Sequence, residues 1–170
     1  MSFQLILVVE ADERSKSDYL YIRSVLTEWY GIQSKTDLKV TPIYMGGKGN
    51  YRKKIKEINK YKKAYAHIGN SQVIFFFDTD KYDSLPDDQR LLHEEEQYCR
   101  ENGFEFVWFC HDIEEVFLGK SVLKSEKTEK AKQYSISNRI KILKRKNVGS
   151  TSMVKGKSNL IIVLEKYLRP

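Results

Sequence analysis

The chain predicts an α/β fold, a mostly parallel sheet of about four strands flanked by helices, and three observations carry that expectation. Two uninterrupted apolar runs, LILVV (5–9) and VIFFF (73–77), have the character of strands covered on both faces. Strand-like and helix-like stretches alternate through residue 119, the pattern of right-handed crossovers between parallel strands. Both apolar runs end in acid, at Glu10 and at Asp78 and Asp80. Ligands in open α/β sheets bind outside the carboxyl ends of the strands.

The elements follow in order. Residues 4–10 form the first strand. Asp12 to Tyr30 predicts a helix, with Ile22, Val25, Leu26 and Trp29 on one stripe and Gly31 placed to end it. Leu38 to Met45 is a second strand, and Pro42 argues for an edge position or an irregularity because it cannot donate to a ladder. Gly46-Gly47-Lys48-Gly49-Asn50 follows, then a helix with Tyr51, Ile55, Ile58 and Tyr65 on its apolar face. Gln72 to Phe77 is the third strand. Pro86 starts a polar helix running to about Asn102, Phe104 to Cys110 is the fourth strand, and Asp112 to Leu118 a short helix. Residues 120–158 predict a helix with flexible flanks or a mobile lid. Asn159 to Leu168 has an amphipathic pattern suited to packing back on the sheet.

At 170 residues the chain suits a single domain, an α/β core over 1–119 and a basic helical extension over 120–170. No apolar run approaches the ~20 residues of a membrane-spanning helix. The opening MSFQ lacks the features of a signal peptide, so a cytoplasmic location is expected. Cys99 and Cys110 match no disulfide framework or zinc spacing. The net charge of +7 is unevenly spread: 120–158 holds 12 Lys and Arg against Glu126 and Glu129, while 1–119 holds 16 against 20 acids. A polyanionic partner, DNA or RNA, fits that asymmetry.

The candidate chemistry lies in the acids. Asp78 and Asp80, two apart, point to one side if the chain stays extended, and paired carboxylates suit Mg²⁺, with Mn²⁺ as a substitute. Glu10 is the candidate general acid or base; its bland role is to cap the following helix, which Asp12 and Ser15 could do equally. Glu115, Asp112 and His111 are candidates at the edge of the same site. Lys48 in its glycine loop is a candidate phosphate ligand, although a plain glycine turn also explains the loop, which lacks the GK[ST] ending of a Walker A sequence. Lys141, Lys144, Arg145 and Lys146, interleaved with Ile140, Ile142 and Leu143, suit a helix that sets its apolar side on the protein and its basic side on a phosphate backbone.

The order of these acids, Glu after the first strand and DxD after the third, resembles the Toprim domain of topoisomerases, primases and nucleases over residues 4–119. VVEADERSKSDYL is similar to the first motif of small stand-alone RloB-type Toprim proteins, approximately EGxxTExxY; FFFDTD resembles their metal motif, and HDIEEVFLG their FExWLL segment, with Glu115 and Phe117 in the Glu and Trp positions. The chain departs from that pattern at Ala11, where a Gly is usual, at Lys16, where Glu is frequent, and by one extra residue between Glu10 and Ser15. The resemblance implies a Mg²⁺-dependent phosphodiester or phosphoryl-transfer site, with Glu10 as acid or base and Asp78 and Asp80 on the metal. It also implies a role in phage defence and a partner ATPase. The alternative expectation is a non-catalytic nucleic-acid or protein-binding module with a degenerate site. A phosphatase reading of DxD ranks third, since Tyr82 stands where the haloacid-dehalogenase pattern has Thr or Val.

Overall fold

Apolar side chains on both sides of a strand demand cover on both faces, and the computed structural model, which describes residues 2–170, supplies it around four parallel strands. These are β1 (Ser2–Val9), β2 (Leu38–Tyr44), β3 (Gly69–Asp78) and β4 (Glu105–Phe109), in the order β2-β1-β3-β4. Pro42 lies on the edge strand β2, opposite Leu7, where its missing N–H costs little.

Along β1, Leu5, Leu7 and Val9 face one layer while Ile6 and Val8 face the other. The first layer holds α1 (Ser17–Tyr30), which connects β1 to β2. The second holds α2 (Ile55–Tyr65) and α3 (Pro86–Glu101), which carry the chain from β2 to β3 and from β3 to β4. The crossovers therefore reverse direction at β1, and the junction between β1 and β3 is the switch point of the sheet. Glu10 and Asp78 stand at that junction.

The start of α1 differs from the sequence expectation. α1 begins at Ser17 rather than Asp12, because the Asp12 carboxylate accepts the N–H groups of Arg14 and Ser15 (both 2.8 Å) and holds residues 12–15 in a turn; Lys16 then takes a left-handed conformation (φ 53°). No side chain caps that helix, so neither Asp12 nor Ser15 plays the expected part. At the other end Gly31 is left-handed (φ 57°) and donates to Thr27 O, as predicted.

The basic extension is not a loose flap. After α4 (Ile113–Leu118), α5 (Lys127–Ile136) packs on α1, and a short helix, α6 (Arg145–Val148), and α7 (Leu160–Leu164) complete the first layer. Ala131, Tyr134, Ile140, Val148, Leu160 and Leu164 are buried there with the α1 stripe. Residues 157–159 also cover the free edge of β4. Cys110 N–H donates to Lys157 O (2.9 Å), and the Asn159 amide accepts from Trp108 N–H (2.9 Å) and donates to Phe106 O (3.0 Å), as a neighbouring strand would. Both cysteines are free and buried. Among the described residues no helix is long and apolar enough to cross a membrane.

Candidate functional site

Because β1 and β3 are hydrogen-bonded neighbours, the acids that follow them meet. Asp78 N–H donates to Glu10 Oε1 at 2.7 Å, while Asp78 Oδ1 accepts from Ile113 N–H at 2.9 Å, at the start of α4. Burial, then the nearby Asp18 charge, raises the Glu10 carboxyl well above the usual carboxylate range, against the pull of the Asp78 N–H and of Lys48. Burial and then the charge of Glu10 raise Asp78 likewise. Two crowded carboxyls with too little positive charge beside them are the chemical centre of this edge.

Asp80 goes elsewhere. The expectation that Asp78 and Asp80 share a side needs extended backbone, and β3 ends at Asp78. Asp80 is left-handed (φ 49°) and its N–H donates to His111 O (2.9 Å); His111 is left-handed as well (φ 64°), its N–H donating to Thr79 Oγ1 (2.9 Å). Two non-glycine residues in this conformation, locked to one another at adjacent strand ends, are strain of the kind concentrated at functional sites. The twist delivers Asp80 to Lys48, with which it forms an ion pair.

The glycine loop explains how Lys48 arrives. Met45 N–H and Gly47 N–H donate to the carbonyls of Val9 (2.8 Å) and Glu10 (2.9 Å), and Gly46 N–H to that of Ala11 (3.3 Å), so the loop lies along the end of β1. Gly46 (φ 66°) and Gly47 (φ 117°) adopt angles that side chains resist. These amides are spent on β1 and do not form a phosphate cradle; the loop instead projects Lys48 into the acids. Burial works against the Lys48 charge, but the hydrogen bond and charge of Asp80, with Glu10 and Glu95 behind, hold its ammonium above the ordinary value.

Three participants are not among the sequence candidates, although Glu114 reads as a surface acid of the short helix after β4. Asp18 accepts Ala11 N–H at 2.9 Å, tying down the turn after β1, and Ala11 is not among the left-handed residues, so its backbone does not require glycine there. Glu95 on α3 is fully buried, with neither carboxyl oxygen hydrogen-bonded among the described residues, and burial pushes its carboxyl up to about 8 against the attraction of Lys48. Its signal was present: Glu95 shares the buried stripe of Leu92 and Cys99. Glu114, also fully buried, pairs with Lys127 at 2.9 Å, tying α4 to α5.

The edge candidates divide. Asp112 is a cap, accepting Glu115 N–H at 2.8 Å. His111 lies between two acids, Nε2 3.1 Å from Asp83 Oδ2 and Nδ1 3.4 Å from Glu115 Oε2. Glu115 also accepts from Ser121 Oγ (2.6 Å) and sits 3.6 Å from Lys155. It lines two hollows: one of about 480 Å³ with Asp80, His111 and Ser121, and one of about 410 Å³ between α4 and the extension, with Lys144, Lys155 and Lys157.

The basic cluster is not one helix. Ile140 is buried and Ile142 exposed, and the extended Leu143 and Lys144 separate the 3₁₀ turn Asn138–Ile142 from α6. Arg145 pairs with Glu165 and lies 5.0 Å over the Trp29 ring, so it serves the fold rather than a phosphate. Lys141, Lys144 and Lys146 are exposed.

The donor set fits a hard divalent ion in kind, being carboxyl oxygen throughout, with Glu10 and Asp78 crowded together and both raised chiefly by burial. Asp80, engaged by Lys48, is the exception. Among the described residues no three His, Cys, Asp or Glu side chains stand close enough together to form a ready cage. Set against protein-family models, curated proteins and solved structures, the chain matches none.

Proposed function

We propose that the chain is a Mg²⁺-dependent phosphodiesterase acting on nucleic acid, with Glu10 handling the proton and Asp78 and Asp80 holding the ion. The observation that carries the reading is the 2.7 Å bond from Asp78 N–H to Glu10, which sets two crowded carboxyls side by side at the sheet's switch point. When bound, the ion would polarise the phosphoryl oxygens and favour ionisation of an attacking water. Glu10 is oriented through Oε1 and passes a proton through its other oxygen, to the leaving oxygen or from the water. The substrate backbone would run from the hollow at Asp80 and Ser121, past Glu115, into the cleft of Lys144, Lys155 and Lys157, where the positive charge of the extension neutralises phosphates.

The test is cleavage of labelled DNA and RNA with Mg²⁺ or Mn²⁺. Glu10→Gln and Asp78→Asn are each expected to lose at least about 10²-fold in rate while melting cooperatively. Cleavage unchanged in both variants would end the proposal. The Lys48–Asp80 pair favours a second reading, a nucleic-acid-binding module whose acid pocket is neutralised from within. Salt-sensitive binding by the wild type, with no metal-dependent turnover on any substrate, would select it.

A further inference from the structure

We propose that Lys48 is a built-in counter-ion of the acid pocket, and that a divalent metal ion binds at Asp80 only as Lys48 leaves it. The inference rests on the pocket being a cation site and does not require cleavage. Three features support it.

The ammonium is delivered by construction. Its loop is pinned to the end of β1 by three backbone hydrogen bonds and by Asn50 Nδ2, which donates to Met45 O and Gly46 O (both 3.1 Å). Only 16% of the Lys48 side chain is exposed. Asp80 is committed from the other side, its left-handed backbone turning it away from Asp78 and onto the lysine. Glu95 adds a third carboxylate beside Glu10 and Asp80, wholly buried and without a hydrogen-bond partner, with Lys48 and Asp80 as its charged neighbours. One ammonium thus stands among three acid side chains, of which it pairs with Asp80 alone, and a divalent ion could engage more than one of their oxygens at once.

Lysine suits this part. It is a compact charge on a flexible stem, able to swing to solvent without disturbing the loop that carries it. Because it competes from within the chain, it lowers apparent metal affinity at every protein concentration.

The experiment is Mn²⁺ binding to the full chain, followed by electron paramagnetic resonance. Lys48→Met is expected to bind Mn²⁺ about ten-fold more tightly than wild type. Lys48→Arg, which keeps the charge, should stay as weak as wild type, and adding Glu95→Gln to Lys48→Met should return part of the gain. Affinity equal to or below wild type in a folded Lys48→Met chain overturns the proposal, as does a chain in which no variant binds Mn²⁺. A variant that loses nucleic-acid affinity with Mn²⁺ affinity unchanged would mark Lys48 as a phosphate ligand instead. The wild-type chain provides a check that needs no variant: with lysines reductively ¹³C-methylated, saturating Mg²⁺ should move the Lys48 resonance to the position of a solvent lysine. A resonance that stays put also overturns the idea. A chain that shows the Lys48→Met gain and cuts nothing keeps this inference and loses the nuclease reading; cleavage with no Lys48→Met gain does the reverse.

Discussion

The two faces of the sheet are covered in different ways. One is covered by α2 and α3, two of the three crossovers between strands, and holds an aromatic cluster: Phe75, Phe77, Tyr98 and Phe104 pack on one another with Tyr51. The other has α1 as its only crossover helix. It is completed from the far end of the chain, by Ala131 and Tyr134 of α5 and by Leu160 and Leu164 of α7. A face built from its own crossovers closes locally, whereas a face with one crossover must wait for residues more than a hundred positions away. The basic extension is thus part of a core as well as a charged surface.

The harshest way to break the contrast is to delete 159–170. That removes Leu160, Leu164 and Leu168 from the first face and uncovers the β4 edge. Loss of cooperative thermal unfolding, followed by circular dichroism, is expected; a sharp transition retained in the shortened chain would make the tail an accessory. A milder version compares Leu164→Ala with Ile58→Ala, one fully buried residue from each face. Each should cost about 2–5 kcal/mol in urea unfolding, the range for emptying a core site.

Glu95 sharpens the comparison through pH. Its carboxyl, raised by burial from 4.5 to about 8, keeps its proton in the folded chain where the unfolded chain has lost it. Its contribution is therefore fully present below pH 4.5 and falls away as pH rises to about 8. Glu95→Gln should flatten that slope and stabilise the chain at the alkaline end by on the order of 2–4 kcal/mol. Equal slopes in wild type and variant would place the proton elsewhere.

The smallest effect concerns tyrosine hydroxyls. Tyr21 on one face and Tyr98 on the other each bury a hydroxyl without a hydrogen-bond partner among the described residues. Tyr21→Phe and Tyr98→Phe should each change stability by less than about 1 kcal/mol, toward greater stability, since no bond is lost and an unsatisfied group is removed. A loss above that at either site would reveal a bond to water.

Much of the fold was legible because it depends on local rules. Apolar runs marked the strands, Pro42 marked the edge, and Gly31 and Pro86 marked helix ends, each through its own backbone chemistry. The start of α1 was misread because the Asp12 turn competes with the helix for the same N–H groups, and sequence does not say which wins. Residues 120–158 resisted because their helices are short and are held by packing rather than by propensity.

For the candidate site, sequence alone determined which acids follow β1 and β3, that Lys48 sits between glycines, and that positive charge gathers after residue 119. These are matters of residue type and order. Tertiary structure decided the rest: that Glu10 meets Asp78, that Asp80 turns to Lys48, that Glu95 lies buried beside them, and that Arg145 supports Trp29. Each of these depends on a left-handed turn or on a pairing between distant segments, which only the folded chain brings within reach.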